Sequence, residues 1–310
     1  MFKKIFSFFL IISLIWLFYW ALFVPKESLT LKISKELQKQ TKKIDLMVKG
    51  VLLTETIGET KIWQIRAVDS QINKDMGIAV LSQVQGIIFS QNKPYLNFDS
   101  PLVNWDLKKQ LIKINTPTGS DKNYKFSMPF IEWYLKEDKF FSEGDIRFFS
   151  KNAEISGNKL TGFLSQKSVF LNEKPIAQFR KGKDTLTLKA ESFEIDGGNG
   201  NILAKKNCSI TMNGLKILAD NFVFVRKSNF VKAQGNVVFS YKDIFAKCEK
   251  ISYLFGSADV ILEGNVLATR ASNTMRATRL KVNLKSNKII MEGKTEVYVE
   301  DEEMELKNDN

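Results

Sequence analysis

Apolar and polar residues alternate along this chain in short stretches, and the alternation changes phase at regular intervals. Leu186, Leu188 and Ala190 share one parity, which places them on one face of a strand, whereas Phe193 and Ile195 take the other. The same slip separates Ala219 from Phe222 and Phe224, Ala246 from Ile251 and Tyr253, and Ala277 from Leu280, Val282 and Leu284. In a continuous strand, a slip of one residue turns the apolar side to solvent. A bulge or corner at each Ala-x-x step restores the inward face and carries the chain from one sheet to another. The pattern predicts two facing sheets of antiparallel strands, with each corner at the same place in a repeated unit.

The Ala positions lie 29, 27 and 31 residues apart, and Gly235, Gly264 and Gly293, each opening a strand, are spaced by 29 and 29. A period of this size means that one supersecondary unit is copied along an axis, each copy covering its neighbour's apolar face. Toward the amino end, Ala67, Ser100, Ser127 and Gly157 fill the same small-residue slot, giving eight units in all. Ser100 is followed by Val103, Trp105 and Leu107 at the corresponding offsets. Together with Phe193, Ile195, Phe222, Phe224, Ile251, Tyr253, Leu280, Val282 and Leu284, these three define one continuous interior face. Periodicity leaves two readings of that face: a filled core between the sheets, or a trough that accepts acyl chains.

Two features outside the repeat change the picture. Residues Ile5 to Val24 form 20 consecutive positions without a charge, enough for a helix to cross a bilayer. Lys3 and Lys4 precede the stretch and hold the amino end in the cytoplasm, while Trp16, Tyr19 and Trp20 gather at the far interface. The run exceeds a signal-peptide apolar core, and no small-x-small cleavage site follows it before Pro25, so an uncleaved anchor is expected. All six prolines fall at or before Pro175, so the last 135 residues read as uninterrupted strands. Net charge is +12, two of which come from Lys3 and Lys4, leaving +10 beyond the anchor. That excess suits either a solvated, aggregation-resistant surface or an anionic partner, and beyond a membrane the partner is not nucleic acid.

The residues offer no catalytic or metal chemistry. There is no histidine, which removes the usual triads, and two isolated cysteines fall short of a zinc ligand set. Cys208 and Cys248 lie 40 residues apart at different phases of the repeat, where a disulfide would be geometrically demanding. Asp196-Gly-Gly-Asn-Gly200 lacks phosphate-loop spacing and reads as a hairpin turn, and Glu137, Asp138, Glu143 and Asp145 bracket another. The acidic stretch from Glu300 to Glu305 reads as a solvated end that guards an edge strand. No catalytic residue, metal or cofactor is expected.

The anchor followed by this β repeat resembles the periplasmic components of the lipopolysaccharide transport bridge. Residues 1–25 read as the anchor, and residues 40–180 are similar to LptC through Trp63-Gln-Ile-Arg-Ala67 and Phe98-Asp-Ser-Pro-Leu-Val-Asn-Trp105-Asp. Residues 181–300 are similar to the OstA-like domain of LptA through the recurring Ala-x-x and Gly-Asn-Val motifs. The chain is longer than a typical LptC and looks like one extended by LptA-like repeats. The resemblance implies an all-β, elongated open β-jelly-roll (OstA-like) of stacked antiparallel strands with one N-terminal transmembrane helix. It implies an inner-membrane, single-pass, largely periplasmic protein that takes lipopolysaccharide from an ABC transporter complex. An LptA-like or outer-membrane receiver would then join by edge-strand pairing, and the chain itself would be no enzyme. The alternative is a membrane-anchored structural or adhesive β-solenoid that uses its surface.

If Ile5–Val24 is an uncleaved anchor, the mature protein retains Met1 or Phe2 and stays with the inner membrane through a high-salt wash. A soluble form beginning near Lys26 would overturn this.

Overall fold

The computed structural model describes residues 46–299, so the expected anchor at Ile5–Val24 and the acidic stretch Glu300–Glu305 lie outside the described residues. Residues from Met47 onward form one compact unit, and every paired strand runs antiparallel to its neighbours. Among the described residues no helix is long and apolar enough to cross a membrane.

Four long strands open the unit: β1 (Leu46–Ile57), β2 (Thr60–Asn73), β3 (Ile78–Ser90) and β4 (Lys93–Asp106). The next two strand-lengths are broken into β5 (Leu111–Asn115), β6 (Thr118–Asp121), β7 (Lys125–Ser127) and β8 (Phe130–Tyr134). A single 3-10 turn, Leu135–Glu137, leads to β9 (Lys139–Ser150) and β10 (Ala153–Phe163). A second broken stretch gives β11 (Ser168–Asn172), β12 (Ile176–Lys181), β13 (Asp184–Lys189) and β14 (Ser192–Asp196). The meander ends on β15 (Ile202–Met212), β16 (Leu215–Val225), β17 (Phe230–Tyr241), β18 (Ile244–Leu254), β19 (Asp259–Arg270), β20 (Asn273–Asn283) and β21 (Lys288–Tyr298). The β12–β13 hairpin carries the sheet past residue 181 without a break.

Every strand-length bends at its middle, so one arm joins each of two facing layers. Cross-layer contacts prove the facing. Phe179 stacks on Phe224 with ring centroids 3.8 Å apart, the Tyr253 hydroxyl lies 3.6 Å from Met212 Sδ, and Trp63 packs edge-on against Trp105 and Trp133. The expected corners are where the ladders slip: beside Gly157, at Ala219, beyond Lys247 and at Ala277. Ala67, Ser100, Ser127 and Ala190 sit at the same bend in β2, β4, β7 and β13.

One assignment is corrected. Cys248, not Ala246, fills the corner slot of β18, since it faces Val237 as Ala277 faces Val266 and Ala219 faces Cys208. Ala190, Ala219, Cys248 and Ala277 are then spaced by 29 throughout. Cysteine passes there because a buried thiol behaves as a small apolar group. Both cysteines are free and buried, and burial pushes each thiol up to about 11.

Each corner is locked by a side chain just after the small residue and a left-handed step on the next strand. Asn207 donates to Glu191, Asn236 to Asp220 at 2.9 Å and Asn265 to Glu249 at 2.6 Å. Gly235, Gly264 and Gly293 supply the step with φ of 79°, 80° and 83°. Three of the earlier strand-lengths are divided at proline: Pro117 separates β5 from β6, Pro129 separates β7 from β8, and Pro175 separates β11 from β12. Proline has no N–H to place in a ladder, so it is accommodated where pairing stops.

The lock gives a stability prediction. A Cβ on Gly264 would lie 2.8 Å from Glu249 Cβ, whereas Gly214, at nearly the same φ, has nothing within 4 Å. Left-handed geometry costs a non-glycine about 1–2 kcal/mol, so Gly264→Ala should lower Tm by about 2–8 °C in thermal unfolding. Gly214→Asn should shift it by under about 2 °C, because asparagine tolerates this region and has room here.

Candidate functional site

The two halves of the unit differ in how their layers meet. From β12 onward the interior face is sealed: Phe193, Ile195, Phe222, Phe224, Ile251, Tyr253, Leu280 and Val282 are buried against the opposite layer. Their side chains pack between the layers as a core, with Ile195 and Phe224 at its margin beside cavities. Of the remaining expected interior residues, Val103 is buried, while Trp105 and Leu284 are only partly covered. Leu107 does not belong to the interior. It lies beyond the end of β4, in the turn where its N–H bonds Gly77 O at 2.9 Å, and is 43% exposed.

In the first half the layers part. A wholly apolar cavity of about 80 Å³ lies between Leu96, Phe98, Phe126 and Phe148 of one layer and Ile131, Trp133, Phe140 and Leu164 of the other. A second cavity of about 70 Å³ shares Leu96, Phe126, Phe140, Phe148 and Leu164 with it, and together they form one seam along the margin of the layers. Several of its walls, including Ile88, Leu96, Ile131, Phe140, Phe148, Leu164 and Val169, remain only partly covered. The seam draws on the proline-divided strands β5, β7 and β8 as well as on the unbroken β3, β4, β9 and β10.

Glycines hold the seam open. Gly86 lies opposite Phe98, Gly119 opposite Phe126 and Gly162 opposite Phe140, and each phenyl ring folds over its glycine. With no side chain beneath it, the ring lies flat across the neighbouring strand instead of standing into the space between layers. These three pairs were missed in the sequence. A glycine inside an alternating stretch, with Phe at a matching position of the next strand, is the signal that would have found them.

The seam ends at a polar bridge. Asn123, buried at 8% exposure, donates through Nδ2 to Gly197 O at 3.0 Å, and Tyr124 Oη donates to Gly200 O at 3.3 Å. Arg226 donates from both terminal nitrogens to Asn123, at 2.8 and 2.7 Å, and sits 4.9 Å from the Tyr124 ring. Burial pushes the Tyr124 hydroxyl up to about 12, so it stays neutral at physiological pH. The expected turn at Asp196–Gly200 forms one side of this bridge, held by Asp196 accepting from Gly198 N at 2.7 Å. Glu137 and Asp138 lie in the β8–β9 connection and Glu143 and Asp145 within β9, so the four do not bracket one turn. Among the described residues no cluster of potential ligands could hold a metal ion.

No family model matches this sequence, and no curated protein does. Among solved structures, one similar chain is LptH, the LptA homologous periplasmic component of the conserved lipopolysaccharide transport device from Pseudomonas aeruginosa. It is 12% identical over 32% of this chain and 73% of its own length, with a TM-score of 0.30. A likeness of that size decides neither fold nor function, and both rest here on the residues themselves.

Trp133 lines the seam and reports on it. A spin-labelled fatty acid should quench tryptophan emission of the intact protein, and Trp133→Phe should remove most of that quenching. Gly162→Val, which forces the Phe140 ring upright, should weaken fatty-acid binding several-fold. Quenching unchanged by either substitution would show that the chains bind elsewhere.

Proposed function

We propose that this chain is a membrane-anchored periplasmic carrier that receives lipopolysaccharide from an inner-membrane ABC transporter and passes it toward the outer membrane. The observation that carries the reading is the seam: a mainly apolar space with walls from both layers, small as it stands, which would widen to shield acyl chains from water. The anchor and the LptC-like and LptA-like motifs in the sequence support the same reading. No reaction is assigned to the chain.

The filled half has a different part in this scheme. Its sealed core makes β12 to β21 a spacer, and the lipid is held in the first half. The rival reading, a structural or adhesive solenoid, draws its support from that same filled core. Capture of the lipid separates the two. Photo-reactive analogues at Phe140, Phe148 and Leu164 should crosslink lipopolysaccharide in cells, whereas those at Phe193, Phe222 and Val282 should not. Labelling at neither set, with the protein correctly localised, would favour the solenoid.

The spacer ends in an open edge. β21 hydrogen-bonds to β20 on one side, and among the described residues no strand pairs with its other side. Ile290, Val297, Tyr298 and Val299 are exposed there, in a proline-free strand whose unpaired backbone is a template for strand addition. The partner in this reading is an LptA-like or outer-membrane receiver. Val297→Pro should abolish crosslinking to that partner and leave the upstream fold intact, and undiminished crosslinking would exclude this edge as the joint.

A further inference from the structure

Beyond the Asn123 bridge, on the same margin of the layers as the seam, lies a second and chemically opposite space. It is a cavity of about 660 Å³ lined by Lys122, Lys151, Arg180, Lys181, Arg226 and Lys227, with no carboxylate in its wall. The cations come from four separate segments: the β6–β7 turn, the β9–β10 turn, the end of β12 and the β16–β17 turn. Phe179, Phe224 and Phe255 supply an aromatic floor.

The cations are placed, and most are left without a counter-charge. Arg226 is gripped only by the neutral groups of Asn123 and the Tyr124 ring, so its charge is oriented without being discharged. Lys181 Nζ donates to Phe255 O at 3.0 Å, and its stem crosses Gly256, where a Cβ would come within 2.6 Å of Lys181 Cδ. Arg180 alone has a carboxylate, Glu154 at 3.6 Å, which stands outside the cavity wall. Lys122, Lys151 and Lys227 make no ion pair among the described residues. Like charges converging on one concavity raise its potential and concentrate anions there. Guanidinium and ammonium groups of this kind match phosphate oxygens.

We infer that this cavity is a phosphate-binding site for the headgroup of a phosphorylated glycolipid whose acyl chains lie in the neighbouring seam. The inference rests on the carrier reading for the acyl part, while the phosphate part stands on the cavity alone. The Asn123–Arg226 bridge divides the apolar from the basic compartment, so an amphiphile lying along the margin meets each with the matching end. The pairing sets direction as well as affinity: a lipid entering tail-first or reversed would put its phosphates against Phe140 and Phe148.

The test uses the full chain in detergent and three probes: a bisphosphorylated, multiply acylated glucosamine disaccharide, its dephosphorylated form, and inorganic phosphate. The variant Lys122→Gln/Lys151→Gln/Lys227→Gln removes cations that carry no structural bond. It should weaken binding of the phosphorylated glycolipid at least tenfold and leave the dephosphorylated form unchanged. A charge-matched control, Lys189→Gln/Lys216→Gln/Lys247→Gln, should do neither. Equal losses in variant and control would reduce the effect to general surface charge and overturn the proposal, as would an unchanged affinity in the variant. Inorganic phosphate binding as tightly as the glycolipid would assign the site to free phosphate and overturn the lipid headgroup. If Gly162→Val and the lysine variant both spare glycolipid binding, the carrier reading falls with the proposal. If only the lysine variant spares it, the seam stands and the phosphate site alone is lost.

Discussion

Everything in this fold depends on one constraint: a strand that must present its apolar side inward at both ends cannot remain straight. Alternation of side chains fixes the two faces of a strand, so crossing from one layer to the other inverts them unless one residue is spent at the crossing. The chain meets this with a small residue on one strand and a left-handed step on the next, stapled by asparagine to an acidic side chain. Glu191 with Asn207, Asp220 with Asn236 and Glu249 with Asn265 repeat at intervals of 29. At the next interval, Thr278 Oγ1 accepts from Lys294 N at 3.3 Å, a backbone version of the same staple. Because the corner is set locally, each strand can be aligned by its neighbour and the meander extends one unit at a time.

The corners were legible in the sequence because they are local. Seven of the eight expected slots are where the strands bend, and the phase change marks each within two residues. The exception is instructive. Residue type points to Ala246, yet Ala246 occupies the inward position that Ile217 holds one unit earlier, and the corner belongs to Cys248. Spacing was the stronger signal there, since 29 recurs without deviation once Cys248 is accepted. The interior face was legible too, but not its state. Phe222 and Phe98 follow the same alternation, and only the opposite layer decides whether such a residue is capped.

The seam and the basic cavity were invisible for a related reason. Both lie along the margin where turns from the two layers face one another, and the residues that meet there are far apart in the chain. Asn123 reaches Arg226 across 103 positions, and Tyr124 reaches Gly200 across 76. A lysine count gave the excess of positive charge but not its convergence on one cavity. The flat aromatic floor depends on Gly–Phe pairs whose members lie on different strands, so a single-strand pattern cannot show why Phe140 leaves room beside it while Phe222 does not.

The contrast between halves follows from how each makes its corners. Where glycine and asparagine make the turn, the strand continues through the bend, and large side chains such as Phe222, Ile251 and Leu280 are fully buried between the arms. Where proline makes it, the arms become separate strands, and only a few backbone bonds, such as Thr116 N to Pro129 O at 2.8 Å, cross the corner. An interior of that kind can widen for a guest while breaking few hydrogen bonds, which a filled and laddered core cannot do. Pro117, Pro129 and Pro175, all before residue 176, therefore set the first half of the backbone apart from the second. The adaptable part comes first and the rigid part follows, with the basic cavity at their junction, where a charged headgroup would mark the limit of how far an acyl chain can slide.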